Sequence, residues 1–341
     1  MNSLTLFIPG LLNPARDIAE EDEPEVPSLE KLLACGVREH LVPFGFSDAL
    51  SMLFKLKRQG EMDFPIGAIT HLVDDNQSTE GIWMRADPVH LMADHRGLIL
   101  MDESNFTLDQ HDALVRAASV KDILAGRGMQ IEVPVVNRWY VHLDTVPDIK
   151  TVPLHEAAGR DIHSCMPAGA GQLAWAQLLN EIQMALHASE VNTTRAQRRE
   201  KPVNSLWFWG AGSLPALTGC PWSRVYTDEE IAHGFSMLAK IPCAGLPDSV
   251  DDLLDTTAAD EDVLAVISFG LRHSQYHDLQ GWLDFAGYLE QFWFADMPLY
   301  LRESELNELV ILTEHQQFTI RRSSLRKFWR RKRSLRSYLN H

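Results

Sequence analysis

Short apolar runs separated by polar and glycine-rich segments divide the chain into alternating strand and helix candidates. The first run, residues 4–8, is rich in strand-forming residues and ends abruptly at Pro9-Gly10, which predicts a buried strand. The pattern then predicts a helix with Ser28 as its cap and Gly36 as its stop, and a second helix over 46–56. The middle of the chain is predicted to form a hairpin over 80–102, a helix over 107–125, two strands over 129–144, a long helix over 170–189 and a strand over 204–212. The last predicted elements are a strand over 262–270, a helix over 279–298 and a strand over 308–315.

The order of these elements predicts the fold class. Strands alternate with helices near both ends of the chain, as in a parallel sheet, whereas 82–142 reads as hairpins with a helix between them. We therefore predict an α/β protein with a parallel-sheet domain formed by residues 1–81 and 213–320. A smaller α+β insert, 82–212, interrupts this domain, and a basic tail, 321–341, follows it.

The composition is typical of a globular protein and argues against membrane, secreted and disulfide-rich classes. The 341 residues are 45% hydrophobic and 23% charged, which is typical of a globular chain with a sizeable core. No run approaches the roughly 18 apolar residues of a membrane span, and the first residues lack the pattern of a secretory signal. The four cysteines contain no CxxC pair, which argues against a disulfide framework or a zinc knuckle. We expect a cytoplasmic location.

The net charge of −16 is distributed unevenly. Residues 321–341 contain nine Lys or Arg and no acid, so the remaining chain carries 22 basic against 47 acidic residues. Two interpretations follow: the tail folds back on the acidic body, for example against 20–25, or it binds nucleic acid or an acidic protein. Phe328 and Trp329, placed among the basic residues, suit base stacking. Apolar residues such as Leu335 and Tyr338 favour docking on the body.

Two constellations of residues could recognise a small anion. The first is Arg85, Asp87 and His90, in which an arginine fork on a strand could bind a phosphate or carboxylate. The alternative interpretation is a structural Arg–Asp pair beside a core histidine. No dinucleotide-binding, P-loop, metalloprotease or nucleophile-elbow motif accompanies them.

The second constellation follows the long predicted helix. It comprises Arg195, Arg198, Arg199, Lys201 and Asn204, and a strand then leads to a turn of small residues at 210–212. Backbone N–H groups at such a turn can bind phosphate oxygens. Basic residues at the end of a helix are also a common solvated surface that complements the negative end of the helix dipole.

Considered together, these segments resemble the archaeal-type cofactor-independent phosphoglycerate mutases. The order of the matching pieces is preserved along most of the chain, and within that group the chain is similar to bacterial RpfE-type regulatory proteins. The matching segments are "PEVPSLEKLLACGV" (24–37), "PFGFSDALSMLF" (43–54), "DFPIGAITHLVD" with "GIWMRADPVHL" (63–74, 81–91), "LHASEVNTTRAQRRE" (186–200) and "KPVNSLWFWGAG" (201–212).

The resemblance implies an alkaline-phosphatase-like domain that uses two divalent metals and a serine that takes up the phosphoryl group. The family's first strand ends in Asp-Gly, whose Asp binds metal, whereas here Pro9-Gly10 stands at that place. Ser47-Asp48 matches the nucleophile segment. The arginine of the family's Arg-Gly-Ala-Gly segment is replaced by Trp209. These departures predict that the metal centre has been lost.

Two hypotheses follow from the resemblance. In the first, the protein is a non-catalytic regulator without cofactors or bound metal that binds a small phosphorylated or carboxylated anion. Its candidate ligand residues are Arg85, Asp87, His90, Arg195, Arg199, Lys201 and Asn204. In the second, it is a divergent mutase or phosphatase that uses Ser47 with two manganese or zinc ions. Those ions would be held by an altered set comprising Asp48, His273, His277, Asp278 and His315.

Overall fold

The computed structural model describes residues 1–14, 18–42, 44–57, 63–75, 80–95, 97–326 and 333–339. The chain forms two compact units, Met1–Lys55 with Leu217–His341 and Leu56–Ala216. The first unit contains a largely parallel sheet and the second an antiparallel sheet with helices, which confirms the predicted α/β class.

Twelve strands are assigned in the described part of the chain. They are β1 (Ser3–Phe7), β2 (Val37–His40), β3 (Ile82–Asp94), β4 (Gly97–Met101), β5 (Gln130–Val135), β6 (Arg138–Leu143), β7 (Ser205–Gly212), β8 (Arg224–Thr227), β9 (Cys243–Ala244), β10 (Asp262–Val266), β11 (Glu308–Leu312) and β12 (Gln316–Arg321).

Twelve α-helices are assigned in the same described residues. They are α1 (Pro27–Cys35), α2 (Phe46–Leu53), α3 (Ile66–Asp75), α4 (Gln110–Ala125), α5 (Leu154–Ala157), α6 (Gln172–His187), α7 (Glu190–Gln197), α8 (Glu230–Ala239), α9 (Val250–Asp255), α10 (Leu271–Gln275), α11 (Leu279–Leu289) and α12 (Met297–Glu303). A π-helical turn, Glu290–Phe294, continues α11. Among the helices described, none combines the length and the apolar character needed to cross a membrane.

The sheet of the first unit has the strand order β2-β12-β11-β1-β10-β8-β9. Strands β1, β8, β9, β10 and β11 run parallel, β12 pairs antiparallel with β11, and β2 pairs antiparallel with β12. Apolar side chains of β1, including the fully buried Leu4 and Leu6, pack in one core with α1 and α11. This alternation of strand and covering helix is the pattern that the sequence predicted.

The second unit is built around the long strand β3, which pairs antiparallel with β4, β6 and β7. The predicted insert 82–212 lies within this unit, and α3 belongs to the same unit because it packs against β3 and β7. Gly67 makes this packing possible: a Cβ there would lie 2.7 Å from the Cα of Met84 and from the carbonyl oxygen of Trp83. The hydrophobic core of the unit lies between the sheet and helices α4 and α6.

The described end of the tail packs on the first unit. Leu335 and Tyr338 are buried in the core of that unit. The backbone N–H of Leu335 donates to Glu30 Oε1 at 3.0 Å, and that of Arg336 donates to Glu23 Oε1 at 3.0 Å. The tail therefore docks on acidic residues, as one interpretation predicted, through apolar side chains and backbone groups. Residues 327–332, which include Phe328 and Trp329, lie outside the described residues.

The start of α1 differs from the sequence prediction. Ser28 was expected to cap the helix, but the N-cap position is Val26 and no side chain of the helix caps it. Instead, Glu290 accepts hydrogen bonds from the backbone N–H groups of Ser28 and Leu29 at 2.7 and 2.9 Å. A carboxylate from a distant part of the chain thus satisfies the free N–H groups of this helix terminus.

Candidate functional site

The carboxyl ends of three parallel strands meet at one edge of the first sheet. Phe7 of β1 lies in register with Val266 of β10 on one side and with Leu312 of β11 on the other. Because these strands run in the same direction, the residues that follow them reach a common edge. In open α/β sheets ligands usually bind at this edge.

Gly10 and Glu314 are joined by a hydrogen bond at this edge. Gly10 N donates to Glu314 Oε1 at 2.6 Å, and Gly10 O accepts from Trp282 Nε1 at 2.9 Å. Gly10 has a φ of +83°, and a Cβ there would lie 3.1 Å from Leu271 Cα, so a side chain at this position would be strained and tightly packed. Glu314 Oε2 is buried and has no hydrogen-bond partner among the described residues. Burial raises the pKa of the Glu314 carboxyl, which favours its neutral form.

The described residues do not fit a two-metal centre. No group of three or more His, Cys, Asp or Glu side chains converges among them in a way that could hold a metal ion. His273 Nδ1 and Asp278 Oδ2 form a pair at 2.8 Å, and Asp278 also caps α11 by accepting from Gly281 N at 3.0 Å. The bond from Gly10 N engages one oxygen of Glu314, and no second carboxylate or imidazole among the described residues joins Glu314 to complete a set of metal ligands. We derive no metal-dependent step for this edge.

Ser47 lies in the first turn of α2. Its side chain is almost fully buried, and its carbonyl oxygen accepts from Ser51 Oγ at 2.7 Å. The neighbouring Phe46 stacks on Phe7, the last residue of β1, with ring centroids 5.7 Å apart. The role of Ser47 as a nucleophile stays a prediction.

In the second unit, Arg85 and Asp87 form a buried ion pair. Asp87 is completely buried, and its Oδ1 accepts from Arg85 Nε at 2.9 Å and lies 2.8 Å from Arg85 Nη2. Asp87 Oδ2 accepts from Trp209 Nε1 at 2.7 Å. Arg85 is only 3% exposed, and its Nη1 donates to Thr70 Oγ1 at 3.4 Å. The geometry is that of the structural Arg–Asp pair, and the guanidinium has little surface left for a ligand.

Sequence reasoning missed the role of Trp209, which it noted only as the replacement of an arginine. Trp209 pairs with Arg85 across β3 and β7, and the guanidinium carbon lies 5.2 Å from the Trp209 ring and 5.6 Å from that of Tyr140. Tyr140 donates from its hydroxyl to Asp74 Oδ2 at 2.5 Å. Alternation along β7 could have indicated this role, because Trp207 and Trp209 share the face opposite the core residues.

His90 and Asn204 lie together at the far end of β3, where they serve the backbone. His90 Nδ1 lies 2.8 Å from the carbonyl oxygen of Pro202, so this nitrogen carries the proton and donates. Burial and then the charge of Lys201 lower the pKa of His90. Its Nε2 is therefore an acceptor in the neutral ring. Asn204 accepts from Leu91 N at 2.7 Å and donates to Leu91 O at 2.9 Å, which continues the β3–β7 ladder with a side chain.

The basic residues around α7 divide into buried and exposed members. Arg195 is buried, and its Nη1 lies 3.3 Å from Asp112 Oδ2 and 3.2 Å from Glu200 Oε2. Arg199 and Lys201 are exposed, and Arg199 takes a left-handed backbone conformation with a φ of +58°. Among the predicted ligand residues, these two are the exposed cations.

Comparison with known proteins relates parts of the chain to phosphoglycerate mutases. No protein-family model matches. The 2,3-bisphosphoglycerate-independent phosphoglycerate mutase of Methanosarcina barkeri is 29% identical over 79 residues, which are 23% of this chain and 19% of that protein. A probable enzyme of the same name from Geobacter sulfurreducens is 32% identical over 104 residues, which are 28% of this chain and 24% of that protein. The matched stretches thus span about a fifth to a quarter of these relatives.

A solved structure is similar over most of the chain. The cofactor-independent phosphoglycerate mutase of Thermoplasma acidophilum matches with a TM-score of 0.47 and 15% identity, over 99% of this chain and 95% of that protein. In sequence, short stretches of the chain are weakly similar to the 2,3-bisphosphoglycerate-independent phosphoglycerate mutases, the group that the resemblance indicated.

Proposed function

We propose that the protein is a non-catalytic, RpfE-type regulatory relative of the cofactor-independent phosphoglycerate mutases. It acts by binding a small phosphorylated or carboxylated anion and does not transfer a phosphoryl group. The observation that carries the proposal is the hydrogen bond from Gly10 N to Glu314 Oε1 at the end of β1. Pro9-Gly10 stands where the resemblance requires a metal-binding Asp-Gly, and the remaining carboxyl group at this edge is held by a backbone donor.

The charge arrangement in the second unit supports anion binding by the exposed basic residues and not by the buried ones. Arg85 and Arg195 are buried against carboxylates, so a ligand would have to displace Asp87, Asp112 or Glu200 to reach them. Breaking such buried pairs is costly. Arg199 and Lys201 are exposed and require no displacement. We assign the anion to these two side chains, with His90 as a positioning group for the Lys201 segment through Pro202.

An activity assay tests the non-catalytic proposal. Interconversion of 3-phosphoglycerate and 2-phosphoglycerate is measured with and without Mn²⁺, for the wild type and for Ser47→Ala. We expect both proteins to leave the rate at that of the protein-free buffer. Turnover by the wild type that Ser47→Ala abolishes would favour the second hypothesis, a metal-dependent mutase with Ser47 as its nucleophile.

Calorimetry tests the anion assignment separately. Titration of 3-phosphoglycerate into Lys201→Gln should show affinity reduced about tenfold, which corresponds to about 1.4 kcal/mol for one charge-assisted contact. The matched control is Lys121→Gln, because Lys121 is an exposed lysine on α4 away from this segment. Equal affinities for the two variants would contradict the assignment of the anion to Lys201.

A further inference from the structure

A cleft in the second unit lies beside α6 and the β3–β4 hairpin. Its outer part has a volume of about 570 Å³ and its inner part about 190 Å³. The two parts adjoin each other, since Leu91, Leu98, Asn180 and Gln183 line both. The size matches that of sites for small molecules, which range over roughly 300–1,000 Å³.

One side of the cleft is a stripe of α6. Asn180, Gln183, Met184 and His187 are spaced three and four residues apart, so they share one face of the helix. The helix is held in place by Ile182 and Leu186, which are fully buried in the core of the unit. Polar groups on a packed helix are well positioned for recognition, because the backbone that carries them does not move.

The inner part of the cleft has apolar walls. Leu179, Ile162, Met166 and Trp207 line it. Trp207 is fixed, because its Nε1 donates to the carbonyl oxygen of Val152 at 2.8 Å. The indole therefore offers a flat, immobile surface, and the flexible Met166 side chain can adapt to a ring or chain placed against it.

The polar groups of the cleft are carboxamides that retain bonding capacity. The side chain of Asn180 makes no hydrogen bond to another described residue, and that of Gln183 makes one long contact, from Nε2 to Ser205 Oγ at 3.5 Å. Each carboxamide presents a donor and an acceptor side by side. Asn204, in contrast, uses both atoms on the backbone of Leu91 and contributes a fixed wall.

The charges of the residues that line the cleft favour a neutral ligand over an anion. Among the described residues that line the cleft there is no Lys, Arg, Asp or Glu. The exposed His163 pairs with Asp161 through Nδ1 at 2.9 Å, which places a carboxylate next to the lining. Apart from the imidazoles of His163 and His187, the described lining offers an anion no cationic group, and burying a charge without a paired cation is costly.

We propose that this cleft binds an uncharged small molecule with an apolar ring or chain and an amide-type edge. The ring or chain packs against Trp207 and Leu179, and the donor–acceptor edge pairs with the carboxamides of Asn180 and Gln183. The inference goes beyond the proposed function, since it assigns a second ligand of different charge to a site that contains neither Arg199 nor Lys201.

Matched pairs of neutral and anionic probes test the ligand class. Nicotinamide and acetanilide are neutral amides, and nicotinate and benzoate are carboxylates with the same rings. Each probe is titrated against the full chain, and binding is monitored by ligand-observed NMR. The amides should bind with millimolar dissociation constants, as expected for ligands of about nine or ten non-hydrogen atoms. The carboxylates should bind at least about tenfold more weakly. Equal binding within each pair, or no binding of either amide, would overturn the proposal.

Three variants locate the binding site. Asn180→Leu and Gln183→Leu should each weaken nicotinamide binding severalfold or more, because each removes one donor–acceptor group. Gln177→Leu is the matched control, since Gln177 is an exposed residue of α6 that does not line the cleft. Loss of binding in Gln177→Leu equal to that in the other two would overturn the assignment. Asn180 is exposed, so its substitution keeps the test valid even where Gln183→Leu fails to fold.

Discussion

Two carboxyl groups, Asp87 in the second unit and Glu314 in the first, are held in opposite ways. Asp87 receives hydrogen bonds from an arginine and a tryptophan, so every oxygen has a partner. Glu314 has one oxygen bonded to Gly10 N, and the other is buried without a partner among the described residues. One carboxyl group is therefore stabilised as an ion, whereas the other is pushed by burial towards its neutral form.

The difference separates a carboxyl group whose bonding is complete from one whose bonding is not. A completed polar network fixes the geometry of its neighbours and leaves no group for a ligand. Under the proposed function, the incompletely bonded Glu314 is the remnant of a polar site at the edge where ligands bind in such sheets. This contrast leads us to place ligand binding in the second unit away from Arg85.

The largest effect is expected for Arg85→Met. This substitution leaves Asp87 buried without its cation, and breaking a buried ion pair from one side costs about 3–5 kcal/mol. Denaturant unfolding of the variant measures the loss. The double variant Arg85→Met with Asp87→Leu should recover most of it, because it removes both charges. A single substitution that costs less than about 1 kcal/mol would show that Asp87 is not ionised.

A smaller effect is expected for Trp209→Phe. It removes the indole donor to Asp87 Oδ2, and a hydrogen bond to a charged group contributes about 1.5–3 kcal/mol. Trp207→Phe is the matched control on the same strand, because it loses a bond to the neutral carbonyl of Val152, which contributes about 1 kcal/mol. A larger free-energy loss in Trp207→Phe than in Trp209→Phe would contradict the contrast between charged and neutral acceptors.

The smallest effect at neutral pH is expected for Glu314→Gln. The amide oxygen keeps the bond to Gly10 N, so the free energy of unfolding should change by about 1 kcal/mol or less. The pH dependence is more informative. Because burial raises the folded-state pKa of Glu314 above its ordinary 4.5, the folded state binds this proton more tightly than the unfolded state. Its contribution to stability is thus fully present below 4.5 and is lost as the pH rises through the folded pKa.

Glu314→Gln removes this titration. The variant should therefore lose less stability than the wild type as the pH rises from about 4.5 towards neutrality. Glu39→Gln, at an exposed position of the edge strand β2, provides the control for a general effect of charge. Identical pH profiles for the wild type and Glu314→Gln would show that folding does not raise the pKa of Glu314, and would contradict the prediction.

The sequence predicted the elements that depend on local pattern. The strand predicted over 4–8 is observed as Ser3–Phe7, and the last strand, predicted over 308–315, as Glu308–Leu312. The helix predicted over 279–298 is present, although a π-helical turn interrupts it after Leu289. Strands β2 and β12 were not predicted, because their short, half-polar segments acquire strand structure by pairing with each other and, for β12, with β11.

Candidate site residues were harder to predict, since their roles depend on partners distant in sequence. Arg85 and Asp87 were identified as a pair, with a structural alternative that the geometry favours, but their partner Trp209 lies more than 120 residues away. Gln183 and Asn180 were not considered, because polar residues on an amphipathic helix are usually solvated. These residues of α6 line a cleft because the β3–β4 hairpin lies beside them, and that proximity cannot be read from the sequence of the helix.

Metal content distinguishes the two hypotheses most directly, and it is measured on the purified protein after incubation with Mn²⁺ or Zn²⁺ and desalting. Gly10 and Glu314 form a hydrogen bond where, by the resemblance, a two-metal centre would need ligands, so we predict that no stoichiometric metal is retained. About two ions per chain, lost on substitution of His273 or His315, would contradict it and favour a metal-dependent enzyme with a rebuilt site.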